Sequence, residues 1–124
     1  MNTTNILKYL GEHFTNIYIR AGKTDLRRGI DGLVAIVESE LKLDPYSKSM
    51  FMFCGTKLDR IKILVNDGEG FVLLYKRLEN GKYKWPRDNN EARLLTEKEF
   101  SWFCDGLNIE QSKRIRNMER TINY

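Results

Sequence analysis

Apolar residues between positions 26 and 41 recur in a helical rhythm. Leu26, Ile30, Leu33, Val34, Val37 and Leu41 are spaced by steps of 4, 3, 1, 3 and 4, which lays one stripe along a helix. The spacing predicts a long helix over 24–41, opened by Thr24 or Asp25 and ended by Asp44-Pro45, because a residue before proline is pushed out of the α region. Gly29 and Gly32 fall inside it. Each costs about 1 kcal/mol against alanine in a helix interior, so they imply either close approach of another backbone or a helix that begins near Asp31. Before it, residues 3–12 form a short helical pattern with Ile6, Leu7 and Leu10 on one side, and 16–20 (Asn-Ile-Tyr-Ile-Arg) reads as a strand.

After residue 49 the rhythm changes to that of strands. Met50–Cys54, Arg60–Val65, Phe71–Lys76 and Lys82–Trp85 are apolar or alternating runs. They are separated by turn signals, among them Asn66-Asp67-Gly68 and Asn80-Gly81. In 60–65, Ile61, Ile63 and Val65 share one side and Arg60 and Lys62 the other, so one face is expected to build the core and the other to carry cations. Pro86 stops the last run, and 87–92 reads as a polar connection. Thr96-Glu97-Lys98-Glu99 is a capping box for a closing helix with Phe100, Trp102 and Phe103, ended by Asp105-Gly106 with Leu107 or Ile109 packing back. The expected fold is α+β: an antiparallel β-meander of about five strands, the long helix packed on one face, and a shorter C-terminal helix. Residues 1–110 are expected to form a single domain and 111–124 a basic C-terminal tail, frayed or disordered.

Composition sets outer limits on this reading. The 124-residue chain is 41% hydrophobic and 31% charged, as expected for a folded domain with its own core. No apolar run approaches the roughly 20 residues of a spanning helix, and the first residues lack the pattern of a signal peptide. A cytoplasmic protein is expected, with Cys54 and Cys104 as reduced thiols and His13 alone. The net charge of +4 is unevenly spread. Residues 56–87 hold eight basic and four acidic groups, and 111–124 hold Lys113, Arg114, Arg116 and Arg120 against Glu119. Such zones suit a polyanion.

The chemistry legible in the residues favours binding over catalysis. Asp25, Asp31, Asp59, Asp67 and Glu69 could serve a metal-dependent nuclease only if two or three converge on a cation. Yet Asp67 and Glu69 are explained by turn chemistry and Asp59 adjoins Arg60. Cys54 has no base near it in sequence. No catalytic residue, metal or cofactor is therefore expected. Arg27 and Arg28 near the helix start could hold a phosphate with free backbone N–H groups, or could simply pair with Asp31. Lys76, Arg77, Lys82 and Lys84 interleave with Tyr75, Tyr83 and Trp85, as in a single-strand binding groove or as in a half-exposed edge strand.

Several runs taken together resemble a transposon family. They are Thr24-Asp25-Leu26-Arg27-Arg28-Gly29 with Gly32-Leu33, Asp44-Pro45, Phe51-x-Phe53-Cys54-Gly55, Asp59-Arg60-Ile61-Lys62-Ile63-Leu64, Asp67-Gly68-x-Gly70-Phe71, and Tyr75-Lys76-Arg77-Leu78-x-x-Gly81-x-x-x-Trp85-Pro86. Leu95-Thr96, Phe100 and Gly106-Leu107 continue the pattern. Over roughly 17–110 the chain resembles the TnpB (Orf2-like) accessory protein of insertion sequences of the IS66 type, with Asn66 standing where that family usually has an aromatic. The resemblance implies a protein that accompanies a separate transposase, which carries the cutting and joining. The expected partners are thus the transposase of the same element and the DNA of the transposon ends, with no membrane. Arg27, Arg28, Arg60, Lys62, Lys76, Arg77, Lys82 and Lys84 are the expected DNA-binding residues, on a single surface. The rival expectations are an adaptor that docks on the transposase through the aromatic sheet edge, and a metal nuclease.

Overall fold

The computed structural model describes residues 5–87 and 90–109. Its elements are α1 (Ile6–Gly11), β1 (Asn16–Lys23), α2 (Ile30–Ala35) running directly into a π turn (Ile36–Glu40), β2 (Ser49–Cys54), β3 (Arg60–Asn66), β4 (Phe71–Arg77), β5 (Ala92–Leu95) and α3 (Glu97–Cys104). The expected tail at 111–124 lies outside the described residues, as do positions 3 and 4 of the expected first helix. That helix starts where the Asn5 side chain accepts a hydrogen bond from the Leu7 amide at 3.0 Å.

The five strands form one sheet in the order β4-β3-β2-β1-β5. From β2 to β4 it is the expected antiparallel meander. The sheet as a whole is mixed, because β1 runs parallel to β2, from Asn16↔Ser49 to Ile19↔Met52. A parallel neighbour needs a crossover rather than a tight turn, and here the crossover carries α2. The fifth strand also differs from expectation. Residues 82–85 form no strand, and β5 instead closes the other edge antiparallel to β1, from Ile17↔Leu95 to Arg20↔Ala92. The Lys-Tyr-Lys-Trp alternation reflects one-sided packing without a ladder. The Tyr83 ring stacks on Phe103 at 5.4 Å, and Trp85 meets Phe103 edge-on at 5.6 Å.

Both faces of the sheet are core, which corrects the expectation of one apolar and one cationic face. All six β2 residues are buried. Met50, Met52 and Cys54 join Ile19, Ile61, Ile63 and Val65 against Leu7, Trp85, Phe100 and Phe103. Phe51, Phe53 and Leu64 meet Leu33, Ile36 and Val37 on the opposite face. Each such side chain contributes about 1.5–3 kcal/mol by leaving water. The predicted stripe is the buried one: Leu26, Ile30, Val34 and Leu41 pack against the same cluster.

The helix begins at Ile30 with Gly29 at its N-cap, the later start that the two glycines implied and not the one at Thr24 or Asp25. Ahead of it, Asp25 captures two amides in a turn: its carboxylate accepts from Arg27 N at 3.0 Å and its carbonyl from Arg28 N at 3.2 Å. In α3 the capping box is present. Thr96 Oγ1 accepts from Glu99 N at 3.0 Å, and Glu99 Oε1 accepts from Thr96 N at 2.9 Å. Gly106 ends the helix at φ +81°. Ile109 then returns to the core while Leu107 stays exposed.

Trp85 fastens the irregular 82–87 segment to the end of β1. Its indole N–H donates to Arg20 O at 3.0 Å and Gly22 O at 3.1 Å, in buried surroundings. Replacing Trp85 with Phe leaves those carbonyls short of a donor, and should lower unfolding free energy in urea by about 1–3 kcal/mol. A Tyr9→Phe control on the exposed side of α1 should leave it unchanged.

Candidate nucleic-acid interface

The C-terminal end of β2 and the start of the crossover build a shallow depression bordered by charged groups. Thr24 N donates to Cys54 O at 2.8 Å, which sets the 24–28 turn beside Gly55. A Cβ on Gly55 would stand 3.1 Å from Leu26 Cδ1, so glycine there lets the turn lie close against the strand end. The resulting open depression, about 280 Å³, is lined by Arg27, Lys57, Arg60 and Tyr75, among others.

Lys62 and Arg28 adjoin it. Lys62 Nζ donates to Arg28 O at 2.8 Å and lies 5.5 Å from the centre of the Tyr75 ring. Two carboxylates share this patch, each held by a neighbouring guanidinium. Asp25 pairs with Arg27 at 2.9 Å, and Asp59 with Arg60 at 2.7 Å. Hydrogen bonds from the Arg27 side chain and backbone hold the Asp25 carboxyl down at about 2. Arg60 lowers Asp59 in the same way and is itself raised. Arg27 therefore pairs with Asp25 rather than Asp31.

The eight residues expected on one surface divide into separate groups. Arg27, Arg28, Arg60 and Lys62 border the depression. Arg77 lies directly across from Arg60 on β4. Lys76 alternates to the opposite face, where it lines a hollow with Leu7 and Leu10 of α1. Lys82 and Lys84 lie on the 82–87 segment beside Tyr83, Trp85 and Arg87, and Lys82 shares a small hollow with Lys76 on that opposite face. The expectation of a single surface for all eight is corrected, because alternation along β4 and the loss of the 82–85 strand send them different ways. Lys57, which is not among the eight, also lines the depression; its place two residues after Gly55, in the loop facing the 24–28 turn, is the sequence signal for it. The interleaved aromatics also divide. Trp85 is buried and Tyr83 half-buried, while Tyr75 is 57% exposed at the β4 edge.

The carboxylates proposed for a metal are occupied otherwise. Asp25 and Asp59 are in ion pairs, and Asp67 Oδ1 accepts from the Glu69 and Gly70 amides at 3.0 Å each. Among the described residues no three His, Cys, Asp or Glu side chains gather as a metal site, and no helix is long and apolar enough to cross a membrane. Burial pushes the Cys54 thiol up to about 12 and Cys104 up to about 11, so both stay protonated at neutral pH.

A basic depression on a mixed α+β sheet defines a class only loosely, but the sequence comparisons are specific. Residues 15–114 match the IS66 Orf2-like protein family, and the chain belongs to it. It is 38% identical over 98 residues to the uncharacterized protein y4jC of Sinorhizobium fredii, covering 79% of this chain and 84% of that protein. To the uncharacterized protein y4hO of the same organism it is 32% identical over 91 residues, covering 73% and 79%. No solved structure matches the chain significantly.

Two titrations check these electrostatics. Acid titration followed by carboxyl carbon NMR should place Asp25 at about 2, and Arg27→Ala should return it toward 3.8. Since the folded value is the lower one, the pair's stabilising effect is present at neutral pH and fades as pH falls from about 4 to about 2. The thiols run the other way. Their folded values are raised, so stability is full below the unfolded thiol range of about 8.5 and declines as pH climbs toward about 12. Iodoacetamide at pH 8 should leave Cys54 unmodified until denaturant is added.

Proposed function

We propose that this IS66 Orf2-like protein serves transposition by holding DNA phosphates at the Tyr75 depression, without cutting or joining strands itself. The carrying observation is the charge gathered at that one place: among the described residues Arg27, Lys57, Arg60 and Lys62 meet there with Arg28 alongside, and the carboxylates among them are Asp25 and Asp59. Guanidinium groups fixed in orientation by their own carboxylates through Nε and Nη2 keep outer N–H groups for a phosphate. The exposed Tyr75 ring adds a stacking surface for a base or sugar. Lys76, Lys82 and Lys84 stand outside this interface.

Fluorescence anisotropy with a duplex carrying the element's terminal repeats, and with an unrelated duplex, tests the proposal. Affinity should fall steeply with salt, by about one phosphate's worth of slope for each cation engaged. Arg28→Ala/Lys62→Ala should weaken binding to both duplexes alike, whereas Lys82→Ala/Lys84→Ala should stay within about twofold of the parent. Absence of binding at micromolar protein, or affinity indifferent to salt, would refute it. The second reading is an adaptor docking on the transposase. It draws on Arg27 and Arg60 already being paired with acids and on the open aromatic edge at Tyr75. Transposase capture that survives nuclease treatment, together with no duplex binding, would put it in first place.

A further inference from the structure

The outward backbone edge of β4 has no part in the DNA reading, which takes only the Tyr75 ring from this strand. β4 is seven residues long, lies at the end of the strand order, and has no strand beyond it among the described residues. A long open edge is a template for another strand. Apolar groups border it: Val72 and Tyr75 are 38% and 57% exposed, and the exposed Tyr46 ring lies 5.0 Å from Phe71. Arg77 also faces Arg60 directly across the ladder, and like charges so placed destabilise a sheet. Asp59 offsets only Arg60, since Arg77 forms no ion pair among the described residues.

The hydrogen bonds fix which groups point outward. Leu78 N donates to Asp59 O, and Gly70 O accepts from Asp67 N, so even-numbered positions of β4 turn toward β3. Phe71, Leu73, Tyr75 and Arg77 therefore present their N–H and C=O groups to the open side.

We infer that β4 pairs antiparallel with β4 of a second copy of this chain, about a twofold axis at Leu73. In that register the outward groups exchange hydrogen bonds, Leu73 opposite Leu73 and Phe71 opposite Tyr75. Arg77 of each copy comes beside Glu69 of the other, so the basic end of the strand meets the acidic Asp67–Glu69 turn. The neighbouring registers fit less well. An axis at Leu74 sets Glu69 against Glu79, and one at Val72 shortens the paired stretch. A twofold perpendicular to the sheet closes the assembly, giving a dimer and not a fibre. It also keeps the two Tyr75 depressions on the same side. The pairing does not depend on DNA.

Sedimentation of the whole chain without DNA, from micromolar to about 100 μM, tests it. The parent should form a dimer. Arg77→Glu and Glu69→Arg should each weaken self-association about tenfold or more, and the double exchange should restore it. Both residues are exposed, so circular dichroism should report a folded chain in every variant. A monomer throughout the range, a dimer indifferent to the single reversals, or a double exchange that fails to restore it would each overturn the proposal.

Discussion

The parallel pairing of β1 with β2 is the constraint on which the other features depend. It obliges the chain to leave β1, cross one face of the sheet and return, so residues 24–48 must supply a helix that covers Phe51, Phe53 and Leu64. The exit from β1 is an irregular one. The register with β2 slips between Ile19 and Lys23, Gly22 takes φ +82°, and its amide bonds to Pro86 O at 2.8 Å. A buried arginine ties the two ends of the crossover together. Arg20 donates to Lys23 O and to Thr24 Oγ1 where the crossover starts, and to Glu40 at 2.6 Å where its helix ends. The 24–28 turn, and with it the cationic depression, is held where this joint leaves it.

Much of the fold was legible because local signals and tertiary packing agree. Four strands fall where the apolar runs and turn residues put them, and the apolar stripe of 26–41 is the buried one. The capping box at Thr96 and the left-handed Gly106 are local devices, and local rules found them. The failures are of two kinds. Pairing direction between β1 and β2 is set by the crossover and leaves no periodic trace. β5 is four residues of Ala-Arg-Leu-Leu, too short and too unalternating to announce a strand, and it forms because β1 offers it an edge. In the opposite sense, Lys82–Trp85 alternates well yet satisfies its aromatics against Phe103 without a ladder.

The candidate site was legible residue by residue and not as a surface. Charge and sequence neighbourhood gave Arg60 with Asp59, and the structure has that pair. Alternation separates Arg77 from Lys76 across the two faces of β4; the apolar run ends at Lys76, so the strand's extension to Arg77, and with it the split, was not read. The helix onset at Ile30 moved Arg27 into a turn with Asp25, a contact two residues away that competes with the helical one. Asn66, the departure from the family pattern, has a local task, since its side chain accepts from Gly68 N at 2.9 Å.

The joining of β5 to β1 has a consequence for synthesis. Ile17 and Leu95 are register partners, as are Arg20 and Ala92, so one side of β1 stays bare until residues 92–95 have been made, long after its partner β2. The neighbouring meander from β2 to β4 needs only short-range closure and can assemble early. A ribosome-bound chain in which residues 92–95 have not yet emerged would therefore present β1 as an open template. During that interval the growing chain carries two unpaired edges, β1 and β4, where the finished sheet has β4 and β5.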